Sequence, residues 1–198
     1  MSGELQRVLI IDGHPDPATA RFVHALADAY EEGATQAGYE VKKLRLAELD
    51  YDLLRSNEDF LQGAPTPTVR SVQEDLRWCT HLVVVYPLWL GSMPALLKGL
   101  FEQALRPGFA FSAEGAKGLP AKLLAGRSAR IIVTMGMPAF FYRWYFRAHS
   151  LKALKRNVLQ FVGFAPIRTT IIGAVEMRPA TKRSAWLHRV RKFGAEAR

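Results

Sequence analysis

The sequence predicts an α/β fold, a single domain over residues 1–198 built on a five-stranded parallel sheet with helices on both faces. Three observations lead there. Short apolar runs rich in β-branched residues alternate with helical stretches five times along the chain, the order that parallel strands and their crossovers require. A chain of 198 residues that is 49% hydrophobic has the length and the apolar content for one core without a disulfide or metal staple. The residues best suited to bind a ligand cluster just after the first, third and fourth strands, where such sheets hold ligands.

The first strand is the run Val8-Leu9-Ile10-Ile11, closed by Asp12-Gly13-His14-Pro15. From about Thr19 to Ala37, Phe22, Ala25, Leu26, Ala29, Tyr30 and Gly33 fall at helical spacing and Gly38 supplies a stop. Val41 to Leu46 reads as a second, more exposed strand, followed by a long acidic excursion punctuated by Pro and Gly. Val69 to Cys79 is helical in spacing, and His81-Leu-Val-Val-Val-Tyr86 is the most strand-like run of all. Pro94 suits the first turn of a helix reaching about Leu105. The Gly-rich segment that follows reads as two short extended pieces. Arg130 to Thr134 is a fourth strand, Leu151 to Phe161 a helix, Ile167 to Gly173 a last strand, and Ala180 to Phe193 a basic terminal helix.

The single Cys79 excludes an intrachain disulfide framework and a multi-cysteine metal site, so no metal is expected and a cytoplasmic setting is. The first residues carry no secretory-signal pattern, and the uncharged apolar stretch from Leu82 to Leu97 is broken by Pro87, Gly91 and Pro94, too short to span a bilayer. Net charge is +9 and unevenly placed: residues 143–198 hold 13 Lys and Arg against 2 Asp and Glu. Such a field suits nucleic acid, an anionic surface or a phosphorylated cofactor. With no nucleic-acid motif beside it, nucleic acid is not expected.

The loop after the first strand has neither the dinucleotide G-x-G-x-x-G nor the P-loop pattern. It still opens a helix N-terminus, where free N–H groups favour a phosphate, with His14, Thr19 and Arg21 as side-chain donors; alternatively Thr19 simply caps the helix. Pro87-Leu88-Trp89-Leu90-Gly91 combines an irregular backbone with apolar surface, which suits a flat heterocycle. Thr134-Met135-Gly136-Met137 adds a hydroxyl and a glycine that permits close backbone approach.

Taken together, VLIIDGHP, VVVYPLWLGSMPALLKGLFEQAL with GFAF after it, and TMGMP with Tyr142 beyond resemble the flavodoxin-like-fold NAD(P)H:quinone oxidoreductases. The similarity runs from about Arg7 to Gly173. It implies sheet order 2-1-3-4-5, a bound FMN or FAD, NADH or NADPH as co-substrate, two-electron ping-pong reduction of quinones or similar electrophiles, and a homodimer. His14, Thr19, Arg21 and Phe22 would then hold the flavin phosphate. Pro87, Leu88, Trp89 and Leu90 would lie along the isoalloxazine, and Thr134, Met135, Gly136 and Met137 would hold its other side. Tyr142 would face the pocket above the ring as a catalytic residue, with His149 as its companion and Arg143 and Arg147 near pyridine-nucleotide phosphates.

The chain departs from the family where Arg21 replaces a serine, Leu90 an aromatic residue and Met137 a second glycine, and where His149 stands one residue out of register. The dimer contact is expected at Leu54, Phe60, Phe140, Phe141 and Trp144. The alternative is a flavin-binding regulatory subunit that docks on a membrane transport protein through its basic C-terminal segment.

Overall fold

The computed structural model describes residues 6–112, 120–177 and 179–197. Five strands, β1 (Arg7–Asp12), β2 (Glu40–Arg45), β3 (His81–Pro87), β4 (Ser128–Thr134) and β5 (Ile167–Ile172), form one sheet in the order β2-β1-β3-β4-β5. Every neighbouring pair is parallel. The chain leaves β1 to one side for β2 and returns on the other for β3, so the order reverses between β1 and β3 and a crevice opens there beyond the strands' carboxyl ends.

Residues alternate between two buried faces with the period of a pleated strand. Val8, Ile10, Val83, Val85, Ile132 and Ile172 meet α1 (Phe22–Gln36) on one side. Leu9, Ile11, Leu82, Val84, Ile131 and Val133 point to the other side and share a core with residues of three helices. Those are α3 (Pro67–Trp78), α4 (Ala95–Ala104) and α6 (His149–Ala153), the last running on through a wide π turn at Leu154–Leu159 to Val162. Burial on both faces is why these strands are continuous apolar runs.

The terminal helix α7 (Ala180–Glu196) packs on α1 at very close range. A Cβ on Gly33 would fall 1.9 Å from the Arg191 carbonyl oxygen, and one on Gly194 would fall 2.2 Å from that of Tyr30. The two glycines let the helix backbones touch. At the amino end of the sheet, buried His81 sits with Nε2 2.9 Å from the Tyr30 hydroxyl and Nδ1 2.7 Å from Ser128 Oγ. Burial pushes its pKa down to about 4, with Arg130 and Arg168 adding to the effect.

The expected elements are present with shifted ends. The first helix begins at Phe22, three residues after Thr19, because the loop spends those residues on its own turns. The acidic excursion contains a 3-10 turn at Leu46–Glu48 and a short helix, α2 (Asn57–Gln62), whose first turn is capped by Ser56. The two extended pieces are Phe111–Ser112 and Ala121–Lys122, paired antiparallel; residues 113–119 between them lie outside the described residues. A further short helix, α5 (Ala139–Trp144), follows β4 and has no counterpart in the sequence reading. None of the helices, among the described residues, is long and apolar enough to cross a membrane.

Candidate functional site

The register of the sheet sets the site. Pro87 pairs with Thr134 across β3 and β4, and the Leu88 N–H donates to the Thr134 carbonyl at 2.7 Å, so the loops after the two strands leave side by side. With the loop after β1 they wall a crevice of about 420 Å³, within the usual range for a small-molecule site. Nine of the expected residues line it: His14, Arg21, Phe22, Pro87, Leu88, Trp89, Thr134, Met135 and Gly136.

The loop after β1 is held by its own hydrogen bonds. Asp12, fully buried at the end of β1, accepts the His14 N–H through Oδ1. The Asp16 N–H donates to His14 Nδ1 at 3.1 Å, which puts the ring proton of neutral His14 on Nε2. Burial, the nearby His24 and Arg21 all lower the His14 pKa, which favours that neutral form. Asp16 Oδ1 accepts the Ala18 N–H at 2.9 Å, an Asx turn. That bond first, and then the Arg21 guanidinium on Oδ2, hold the Asp16 carboxyl below its usual range.

Helix α1 starts at Phe22 with Arg21 as an N-cap that supplies no side-chain cap, and the amides of Ala20, Phe22 and Val23, residues that line the crevice, have no partner among the described residues. Unpaired amides at the start of the helix and just before it, together with a histidine N–H, form a donor set that fits an anionic group such as a phosphate.

The loop after β3 forms a two-residue turn. The Trp89 N–H donates to the Ser92 carbonyl at 2.8 Å and the Ser92 N–H donates back at 2.9 Å, with Leu90 at φ 46° and Gly91 at φ 80° between them. Positive φ at both central residues is the I′ geometry. Trp89 is 48% exposed and meets His14 edge-on, ring centroids 5.7 Å apart.

Five expected residues lie off the crevice wall. Thr19 is exposed on the loop and caps nothing, because the helix starts later. Leu90 points wholly into solvent, since the turn carries it outward, and does not lie along the crevice. Met137 packs toward the core and its carbonyl accepts the Ala174 N–H.

Tyr142 corrects the expectation most clearly. It is 1% exposed, its hydroxyl lies 2.8 Å from Ser150 Oγ and also accepts the Leu151 N–H, so the phenol faces the core and not the crevice. His149 begins α6 on the surface, away from that wall. Arg21, expected to meet phosphate, spends its guanidinium on Asp16.

The crevice also holds residues that the sequence reading passed over. Glu176 sits over Gly136, its carboxylate 3.9 Å from where a Cβ would be, and Arg183 reaches the wall from the first turn of α7. Both arrive from beyond β5, too far along the chain for any local pattern to place them. Buried Asp12 and His24 beneath the loop did leave a signal: a carboxylate ending an apolar strand and a histidine in the first turn of the next helix.

A pocket bounded by a helix N-terminus and two strand-end loops at the reversal of a parallel sheet is the place where α/β proteins of this class hold ligands, and its donors and apolar wall fit an anionic, flat one. The flavodoxin-like-fold family matches residues 6–193, and the chain belongs to it. An uncharacterized NAD(P)H oxidoreductase of Haemophilus influenzae is 25% identical over 90% of this chain and 89% of its own. The ribosyldihydronicotinamide dehydrogenase [quinone] of Homo sapiens is 28% identical over 72% of this chain, a match that spans 64% of that relative's length. Among solved structures, the FMN-dependent NADH-azoreductase of Bacillus anthracis in complex with FMN superposes with a TM-score of 0.75 at 16% identity, over 97% of this chain and 99% of that one.

Proposed function

We propose that the protein is a flavin-dependent NAD(P)H:quinone oxidoreductase that reduces quinones or similar electrophiles by two electrons in a ping-pong cycle. The observation that carries the reading is the crevice: unpaired amides and His14 Nε2–H at one end, and an indole with two strand-end backbones at the other. A bound flavin supplies the hydride acceptor and donor. His14 Nε2 and the amides of Ala20, Phe22 and Val23 would hold its phosphate; Trp89, Leu88 and Pro87 would pack against the ring and keep water from it, with Thr134, Met135 and Gly136 on the opposite wall of the crevice. NAD(P)H and the acceptor take the open mouth in turn. The relatives named as NAD(P)H oxidoreductases, and the FMN held by a structural neighbour, support the cofactor and co-substrate classes.

A homodimer belongs to the same reading. Phe140, Trp144 and Tyr145 on and beside α5 are 73%, 79% and 64% exposed, and Phe141 stacks on Tyr145 at 5.1 Å. An exposed aromatic patch of this kind suits a self-complementary contact, whereas Leu54 and Phe60 are half-buried and offer less.

The test is the visible spectrum of the purified protein, followed by anaerobic addition of NADH or NADPH and then of a quinone. A flavin spectrum that bleaches and returns is expected. A colourless protein that binds neither FMN nor FAD in a fluorescence titration removes the proposal.

A further inference from the structure

Beneath the crevice lies a buried pair that the proposed reaction does not use. Asp12 is fully buried and His24, in the first turn of α1, is 2% exposed; His24 Nδ1 is 2.5 Å from Asp12 Oδ2. The other ring nitrogen, Nε2, lies 3.0 Å from the carbonyl oxygen of Asp16. A carbonyl oxygen can only accept, so Nε2 carries a hydrogen and donates to it, while Nδ1 and Asp12 Oδ2 share a second hydrogen bond on the far side. One side chain thus bridges the end of β1, the first turn of α1 and the middle of the loop between them.

Packing alone does not explain this choice. A buried polar pair stabilises a fold no better than well-packed apolar residues do. What the pair provides is position. The peptide groups flanking Asp16 are held from two sides, the carbonyl by His24 Nε2 and the N–H by His14 Nδ1. The second bond is the one that leaves the His14 proton on Nε2. Around the pair stand Asp16 and Arg21, which are ion-paired, and the His14 ring, with Trp89 edge-on to it.

We propose that His24 is a positioning residue for the anionic end of the cofactor: by holding the Asp16 peptide it keeps the loop and the His14 Nε2–H aimed at the crevice. The inference rests on the flavin reading, and its test separates the two. The dissociation constants of FMN and riboflavin, which differ by the phosphate alone, are measured for wild type, His24→Gln, His24→Leu and the double variant Asp12→Leu/His24→Leu. The double variant removes the buried carboxylate that His24→Leu would strand, together with the Asp12 Oδ1 that accepts the His14 N–H. The single variant Asp12→Asn, which keeps an oxygen acceptor there, is therefore measured beside it, and the loss assigned to His24 is the part it does not share.

FMN binding should weaken roughly 10- to 100-fold in the double variant, about the effect of one charge-assisted hydrogen bond, and less in His24→Gln. Riboflavin binding should change by less than about threefold. Equal losses for both ligands, or no loss for either, overturn the inference. A second readout needs no cofactor: nitrogen NMR of His14 should show one tautomer, protonated at Nε2, in wild type and a mixture in the double variant. If wild type binds neither flavin, the proposed function falls while this NMR comparison still decides for or against the positioning role.

Discussion

Trp89→Ala tests the ring-binding half of the crevice in numbers. An aromatic side chain of this size exposes up to about 250 Å² when free, and Trp89 is 48% exposed on its turn. Roughly 120 Å² therefore remains open, of which a stacked ring covers about half. At about 25 cal/mol per Å² that is close to 1.5 kcal/mol, and the aromatic pairing adds about 0.5–1.5 kcal/mol. The sum of about 2–3 kcal/mol corresponds to a roughly 30- to 150-fold rise in the flavin dissociation constant. The buried half of the indole, including its edge contact with His14, is lost as well, so the ligand-free melting temperature should fall by a few degrees. Fluorescence titration with FMN well below the melting point measures the binding effect, and Trp89→Phe should recover most of it. An unchanged dissociation constant in a folded Trp89→Ala protein would refute stacking on this side chain.

Gly194→Ala places a methyl 2.2 Å from the Tyr30 carbonyl oxygen and 2.9 Å from the Ala34 nitrogen; forcing α1 and α7 apart should cost about 1–3 kcal/mol, and a thermal melt coincident with wild type would contradict the close crossing. His81 has a native pKa near 4 against about 6.5 unfolded. The unfolded chain takes up the proton first, so stability present above pH 6.5 is lost as pH falls toward 4, roughly 2–3 kcal/mol by pH 4.5. Urea denaturation at pH 7 and 4.5 should show that loss shrinking in His81→Asn, and an identical pH dependence in the variant counts against the buried neutral histidine. Trp144→Glu should give a monomer by light scattering where wild type is a dimer, and a monomeric wild type at micromolar concentration rejects the α5 contact.

The sheet was readable because its central strands β1, β3 and β4 bury both faces: Leu82 to Tyr86 has no polar position to interrupt it, and strand ends announce themselves with Gly and Pro. The crevice was readable for the same reason, since strand-end loops in a parallel sheet gather at one place whatever their sequence. The direction of individual side chains was not. Tyr142 follows β4 at a spacing that suits a pocket, yet α5 turns it inward to Ser150, and no local pattern reports on a helix of six residues whose orientation depends on what packs beneath it. The same limit hid Glu176 and Arg183, which reach the wall only after the chain has crossed β5 and entered α7.

Leu90 shows how a departure from local preference carries functional meaning. A leucine in the left-handed region, at φ 46° and with its side chain wholly in solvent, is unfavourable twice over: the backbone conformation costs about 1–2 kcal/mol for a residue with a Cβ, and the exposed apolar side chain gains nothing by burial. The turn persists because the two hydrogen bonds between Trp89 and Ser92 close it, and closing it sets Trp89 on the crevice wall. Strain of this kind concentrates where a loop is shaped for a ligand instead of for stability. Asparagine tolerates left-handed backbone better than leucine, so Leu90→Asn should stabilise the ligand-free protein while preserving the turn. If the leucine side chain also serves to cover a bound ring or meet a second subunit, the same substitution weakens flavin binding or dimerisation as it raises the melting temperature, and an Asn variant that gains stability with neither loss assigns Leu90 to the turn alone.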